Sequence, residues 1–210
     1  MPTLLAPPAA ATAATWTYSQ SWLPALETDF QPAAVHFTWL PDALHLTATL
    51  HDRDIYNPAT RFNEVAYPLG DVFELFVRPD DQETYFEIHV TPHNQVMQLR
   101  WPRHVRQCTI PREGTDAERL AAYFVWTPRV PSATRVDHAA QRWQVSLTLP
   151  FALIVERGVM TAGRPWFISC SRYDYTHGRE RPVFSSTSPH ALPDYHRLEE
   201  FRPLVYPGGR

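Results

Sequence analysis

The chain has 210 residues and a formal net charge of −3; its 19 basic residues are all arginine and are scattered rather than clustered. That balance leaves no electrostatic footprint for nucleic acid, and no run of about 18 apolar residues is present to cross a bilayer as a helix. Twenty-one prolines against seven glycines argue against a helical bundle. They favour short strands joined by proline-marked loops, in one domain long enough for a full core.

Residues 1–15, rich in Ala, Pro and Thr, read as a flexible lead-in, with a single domain over 16–210. The N-terminus lacks a basic stretch and a long apolar segment, so no signal peptide is expected and a cytoplasmic location is the default. Val35–Trp39 and Leu44–Leu50 form a predicted hairpin with apolar residues on alternate positions. Asp52 and Asp54 follow, two apart on an extended stretch, with Asn57 nearby. Three more strands are predicted at Gly70–Pro79, Tyr85–Thr91 and Val96–Trp101. Residues 102–141 are the least regular part, where only Thr115–Ala122 suits a short helix, its early Asp116 and Glu118 favouring the helix dipole. Trp143–Leu149 is the cleanest strand, Pro150–Val155 a turn or single helical turn, Trp166–Tyr173 a further strand and Pro203–Tyr206 a last short one. Mostly antiparallel strands with at most two short helices predict an all-β antiparallel sandwich. Cys108 and Cys170 fit no motif, and free thiols are expected because Cys170 lies within an apolar strand.

The chemistry of one face of the central three strands stands out. It carries Glu74 and Phe76, then Tyr85, Glu87 and His89, then Gln98 and Arg100. With turns at 79–84 and 92–95, two cross-strand ladders are predicted, Glu74–His89–Gln98 and Phe76–Glu87–Arg100, with opposed side chains roughly 5 Å apart. Parity assigns Met97 and Trp101 to the other, apolar side. A wall of acid, imidazole, amide, guanidinium and aromatic groups suits recognition of a polar ligand, and Arg172 is a candidate donor at its rim.

Four segments together resemble family 9 carbohydrate-binding modules and the wider DOMON-like sandwiches: His51–Ile55, Gly70–Val77 with Tyr85–Val90, Trp143–Phe151, and Tyr195–Phe201. The resemblance covers residues 20–206 and implies a non-catalytic saccharide-binding protein, often working beside glycoside hydrolases. It further implies two aromatic rings flanking a sugar, at the positions of Tyr67 and Tyr195. The family's strand carboxylate falls on Glu74, and its polar pair on Glu87 and His89, where an Arg/Asn type of pair is usual. Some members hold a structural calcium, for which Asp52 and Asp54 are the candidates; no cofactor is otherwise required. Haem binding through Met97 and a histidine is the first alternative, disfavoured because Met97 is expected to face away from the wall. Glycoside processing by Glu74 and Glu87 is the second. It is disfavoured because His89 and Arg100 are expected to hold both carboxylates ionised, leaving no general acid. His177, His190 and His196 match no zinc spacing.

Overall fold

The computed structural model describes residues 13–126, 129–156 and 158–208. In chain order the strands are β1 (Ala13–Thr17), β2 (Ala33–Trp39), β3 (Ala43–His51), β4 (Val72–Pro79), β5 (Tyr85–Val90) and β6 (Val96–Trp101). After the short helix α1 (Asp116–Leu120) come β7 (Ser132–Asp137), β8 (Arg142–Pro150), the single turn α2 (Phe151–Ile154), β9 (Pro165–Asp174), β10 (Val183–Ser186) and β11 (Arg202–Val205). β1 begins inside the segment read as a lead-in, while residues 1–12 lie outside the described residues. The unforeseen strands β1, β7 and β10 are each paired with a predicted neighbour.

The strands form two antiparallel sheets. One has the order β1-β2-β3-β8-β7; the other runs β10-β9-β4-β5-β6, with β11 on the remaining length of β9. Alternation sends Val35, Phe37, Leu46, Trp143, Val145 and Leu147 from the first sheet against Phe73, Leu75, Ile88 and Ile168 from the second. Each such side chain contributes about 1.5–3 kcal/mol on burial. Trp39 and Trp166 meet edge to face at 5.2 Å and close one end of the core. Cys108 and Cys170 are both free.

The second sheet is apolar on both faces, and this positions the site. On its outer face Phe76, Tyr85, Met97, Leu99 and Trp101 form a second cluster with Tyr195 and Phe201. The 102–125 segment and the C-terminal 187–201 segment fold over it. At the head of β4, a Cβ on Gly70 would stand 2.5 Å from the carbonyl oxygen of Tyr56, so only glycine fits. Asp71 then ties two loops to the strand by accepting the N–H groups of Tyr56 (2.7 Å) and Tyr175 (2.8 Å). α1 begins with a capping box in which Thr115 and Glu118 bond each other's backbone N–H.

The β4–β5 register matches the expectation, with Glu74 opposite His89. The β5–β6 register does not: Glu87 faces Leu99, His89 faces Met97 and Tyr85 faces Trp101. The turn holds three residues rather than four. Thr91 pairs with Gln95 through its N–H (3.0 Å), and Asn94 takes the left-handed conformation at φ 61°. This is the three-residue hairpin loop ending in a left-handed residue. One residue of slip exchanges the two faces of β6.

Candidate functional site

A cavity of about 430 Å³ lies on the outer face of the second sheet. Its floor is Glu74 and Phe76 of β4, Glu87 and His89 of β5, Leu99 and Trp101 of β6, and Tyr173 of β9. Tyr67 forms one wall, Val105, Ile110 and Leu120 the roof, and Asp194, Tyr195 and His196 the far side. Tyr173 stands between the two flanking tyrosines, its ring centroid 5.9 Å from each. The Tyr67 hydroxyl donates to Asp116 at 2.8 Å and so fixes α1 over the site. The Tyr195 hydroxyl donates to the carbonyl of Arg172 at 3.1 Å.

The polar centre is buried and internally bonded. Nε2 of His89 stands 2.7 Å from Oε1 of Glu87 and 3.1 Å from Oε1 of Glu74. The indole N–H of Trp101 donates to Oε2 of Glu87 at 2.7 Å. Tyr85 and His196 share a 2.8 Å bond through the hydroxyl and Nδ1.

Burial, reinforced by the neighbouring Glu87, pushes the Glu74 carboxyl up to about 8 against the opposing effect of His89. Burial works against Glu87 as well, yet the imidazoles of His196 and His89 and the Trp101 N–H together hold it below the ordinary carboxylate range. His89 is raised: burial opposes its charge, but Glu74 and Glu87 outweigh that cost. His196 is lowered by burial. Near neutral pH the centre therefore holds an ionised Glu87 and a protonated Glu74, with His89 between them shifted toward its charged form.

Tyr67, Glu74, Glu87, His89 and Tyr195 all line this one cavity. Arg100 does not. The register slip sends it to the opposite face, where it is exposed and pairs with Glu156. Gln98 turns the same way and bonds the backbone of Trp126 and Val130. In their place stand Met97, Leu99 and Trp101, which parity had assigned to the other side. Arg172 is not at the rim either. Its parity on β9 points between the sheets, where it is fully buried with Asp52 (3.0 Å) and Asp174 (3.2 Å).

The expected calcium pair is also separated. Asp52 accepts from Arg172 and from the N–H of Asp54 (2.9 Å), while the Asp54 side chain turns outward to His177 (2.8 Å). The Asn57 side-chain oxygen Oδ1 accepts the N–H of Ala59. Asp52, Asp71 and Asp174 do come within ligand distance of one another, but the Arg172 guanidinium supplies the cation for two of them. This donor set does not fit calcium, which wants six to eight oxygens.

The structure changes the reasoning about both alternatives. Glu74 is held protonated, so the expectation that both carboxylates are ionised fails and a carboxylic acid is present. The two carboxyls nevertheless share one sheet floor and are bridged by a single imidazole nitrogen. A glycosidase pair must flank the scissile bond, and this pair cannot. Met97 does lie on the face of His89, but it is fully buried in the cluster beneath and does not line the cavity. Nε2 of His89 is already engaged by both carboxylates, so the pair does not fit a haem.

Tyr173, Leu99, Trp101 and His196 were missed as site residues. The alternation Phe167, Ser169, Ser171, Tyr173 along β9 carried the signal for Tyr173. Elsewhere on that strand Ser169 Oγ lies 3.1 Å from His190 Nε2, whose Nδ1 lies 3.0 Å from Glu200. This order imitates a hydrolytic triad, but Ser169 and His190 are fully buried and none of the three reaches the cavity. A second groove, about 500 Å³ between Glu27, Asp29, Arg179 and Arg181, is open and has no aromatic lining.

No protein-family model and no curated protein sequence matches the chain. Solved structures do match in fold. A Bacteroides uniformis protein proposed to bind carbohydrate superposes with a TM-score of 0.62 at 13% identity, over 93% of this chain and 86% of that one. A family 9 carbohydrate-binding module from Caldicellulosiruptor kristjanssonii in complex with cellotriose gives 0.60 at 12% identity, covering 95% and 84%. A Caldicellulosiruptor kristjanssonii module of the same family in complex with glucose gives 0.59 at 11%, covering 92% and 82%. The chain thus has the β-sandwich fold of family 9 carbohydrate-binding modules.

Proposed function

We propose that this family-9-type sandwich is a non-catalytic carbohydrate-binding protein that takes a mono- or short oligosaccharide in the roofed cavity. The observation that carries this is the ring of Tyr67, Phe76, Trp101, Tyr173 and Tyr195 closing around Glu74, Glu87 and His89. The C–H faces of a pyranose pack on aromatic rings, while carboxyl and imidazole groups take its hydroxyls. A cavity of about 430 Å³ is of small-molecule size, and its roof of Val105, Ile110 and Leu120 suits one or two sugar rings rather than a long chain. The glucose and cellotriose complexes of the two neighbours support the same ligand class. An accessory role beside a glycoside hydrolase is the further step of this reading.

Calorimetric titration of the purified protein against neutral, basic and acidic mono- and oligosaccharides tests it. Binding of at least one sugar, abolished by Tyr67→Ala in a protein with unchanged near-ultraviolet circular dichroism, is expected. A complete absence of heat across the panel would refute the proposal.

A further inference from the structure

We infer that the sugar bound in this cavity carries a protonated amino group, seated against Glu74 within the ring of Tyr67, Tyr173 and Tyr195. The inference deepens the saccharide reading and rests on it.

The charges around the cavity are unbalanced. Its lining holds three carboxylates, Glu74, Glu87 and Asp194, and two imidazoles, but no arginine. Asp194 is neutralised from outside by Arg106 at 2.8 Å. Glu87 is satisfied by both His89 and Trp101. Glu74 has only the 3.1 Å contact of one oxygen with His89, which is shared with Glu87. That contact is the one ion pair or hydrogen bond Glu74 makes among the described residues, although the residue is only 2% exposed and borders the cavity. Two carboxylates thus share the His89 imidazole; His196 stands 3.8 Å from Glu87, with its own charge opposed by burial, and Glu74 is left without a cation of its own.

A buried carboxylate without a partner is costly, and without a ligand the molecule avoids that cost by keeping Glu74 protonated. An ammonium group arriving beside Glu74 supplies the missing cation and lets the proton leave. The surrounding rings favour a cation too, because aromatic faces attract positive charge and do so most strongly in desolvated sites. An acidic sugar meets the opposite situation: no arginine is present to receive its carboxylate. Among saccharides the cavity therefore selects amino sugars over neutral and acidic ones.

The test is calorimetric titration of the full chain with glucosamine, glucose, N-acetylglucosamine and glucuronate, at a slightly acidic pH where the free amine is charged. Glucosamine should bind at least about tenfold more tightly than glucose, and glucuronate should bind weakest. In Glu74→Gln the ratio of glucosamine to glucose affinity should collapse toward one. Equal wild-type affinities for glucosamine and glucose, or a preference for the acetylated or acidic sugar, would overturn the amino-group inference and leave the saccharide proposal standing. Binding of none of the four, nor of any sugar in the wider panel, would overturn both.

Discussion

Replacing Glu74 by Gln isolates the energetics of the buried centre, because glutamine keeps the shape and an acceptor for His89 but cannot ionise. In the folded protein Glu74 titrates at about 8, against an ordinary value of 4.5. A carboxyl raised on folding contributes stability that is fully present below its unfolded value and is lost as pH rises through the folded one. At about 1.4 kcal/mol for each tenfold change in proton affinity, the window from pH 5 to pH 8 costs the wild type about 3 kcal/mol through this group alone. Asp71, raised by burial to about 9, and Asp174, raised by burial to about 7, slope the same way. Both remain in the variant, so the difference between the two curves reports Glu74. Thermal unfolding of both proteins across that range is the assay. Glu74→Gln should be close to the wild type at pH 5 and more stable at pH 8, by roughly 6–12 °C for a chain of this size. Parallel curves would mean that Glu74 is not held protonated, and would remove the basis for its role as the unpaired acid of the cavity.

Two further predictions concern neighbouring contacts. Trp101→Phe removes the donor to Glu87 and leaves a buried carboxylate oxygen unsatisfied. It should cost about 1.5–3 kcal/mol in urea unfolding, whereas a change under 0.5 kcal/mol would show that the indole bond contributes nothing. Arg172→Ala strands Asp52 and Asp174 without their cation and should destabilise the fold by about 3–5 kcal/mol at pH 8. The loss should shrink toward pH 5 as Asp174, raised by burial to about 7, takes up its proton, so a pH-independent loss would show that packing, not charge, is what Arg172 supplies.

The mixed outcome on the second sheet has a physical cause. The β4–β5 pairing was legible because Glu74, Phe76, Glu87 and His89 sit between runs of strongly apolar residues that parity alone assigns to the inter-sheet core. β6 offered no such asymmetry. Met97, Leu99 and Trp101 alternate with Val96, Gln98 and Arg100, and the rule that the apolar set faces the core holds only when a sheet has one apolar face. Here there are two apolar layers, the inter-sheet core and the cluster under the 102–125 roof, and the sequence does not say which of them a strand feeds. The deciding element was Asn94 in the left-handed conformation, which shortens the turn by one residue and turns Trp101 into the cavity. Arg172 was misplaced for a related reason: it takes an inward parity at the end of the sandwich, where Asp52 and Asp174 make burial of a guanidinium tolerable. Asp174 is two residues along the same strand, but nothing local announces Asp52, 120 residues away in the chain.

By itself, the sequence determined the sandwich and the identity of the acidic and imidazole residues on β4 and β5, because strand alternation and proline-marked turns are local properties; Tyr67 and Tyr195 were implied by the family resemblance alone. Tertiary structure alone decided which face of β6 joins them, that a roof encloses them, and that two carboxylates share one imidazole. Those properties depend on turn geometry, on segments brought in from residues 102–125 and 187–201, and on the loss of water from the centre. It is this last effect that leaves Glu74 protonated.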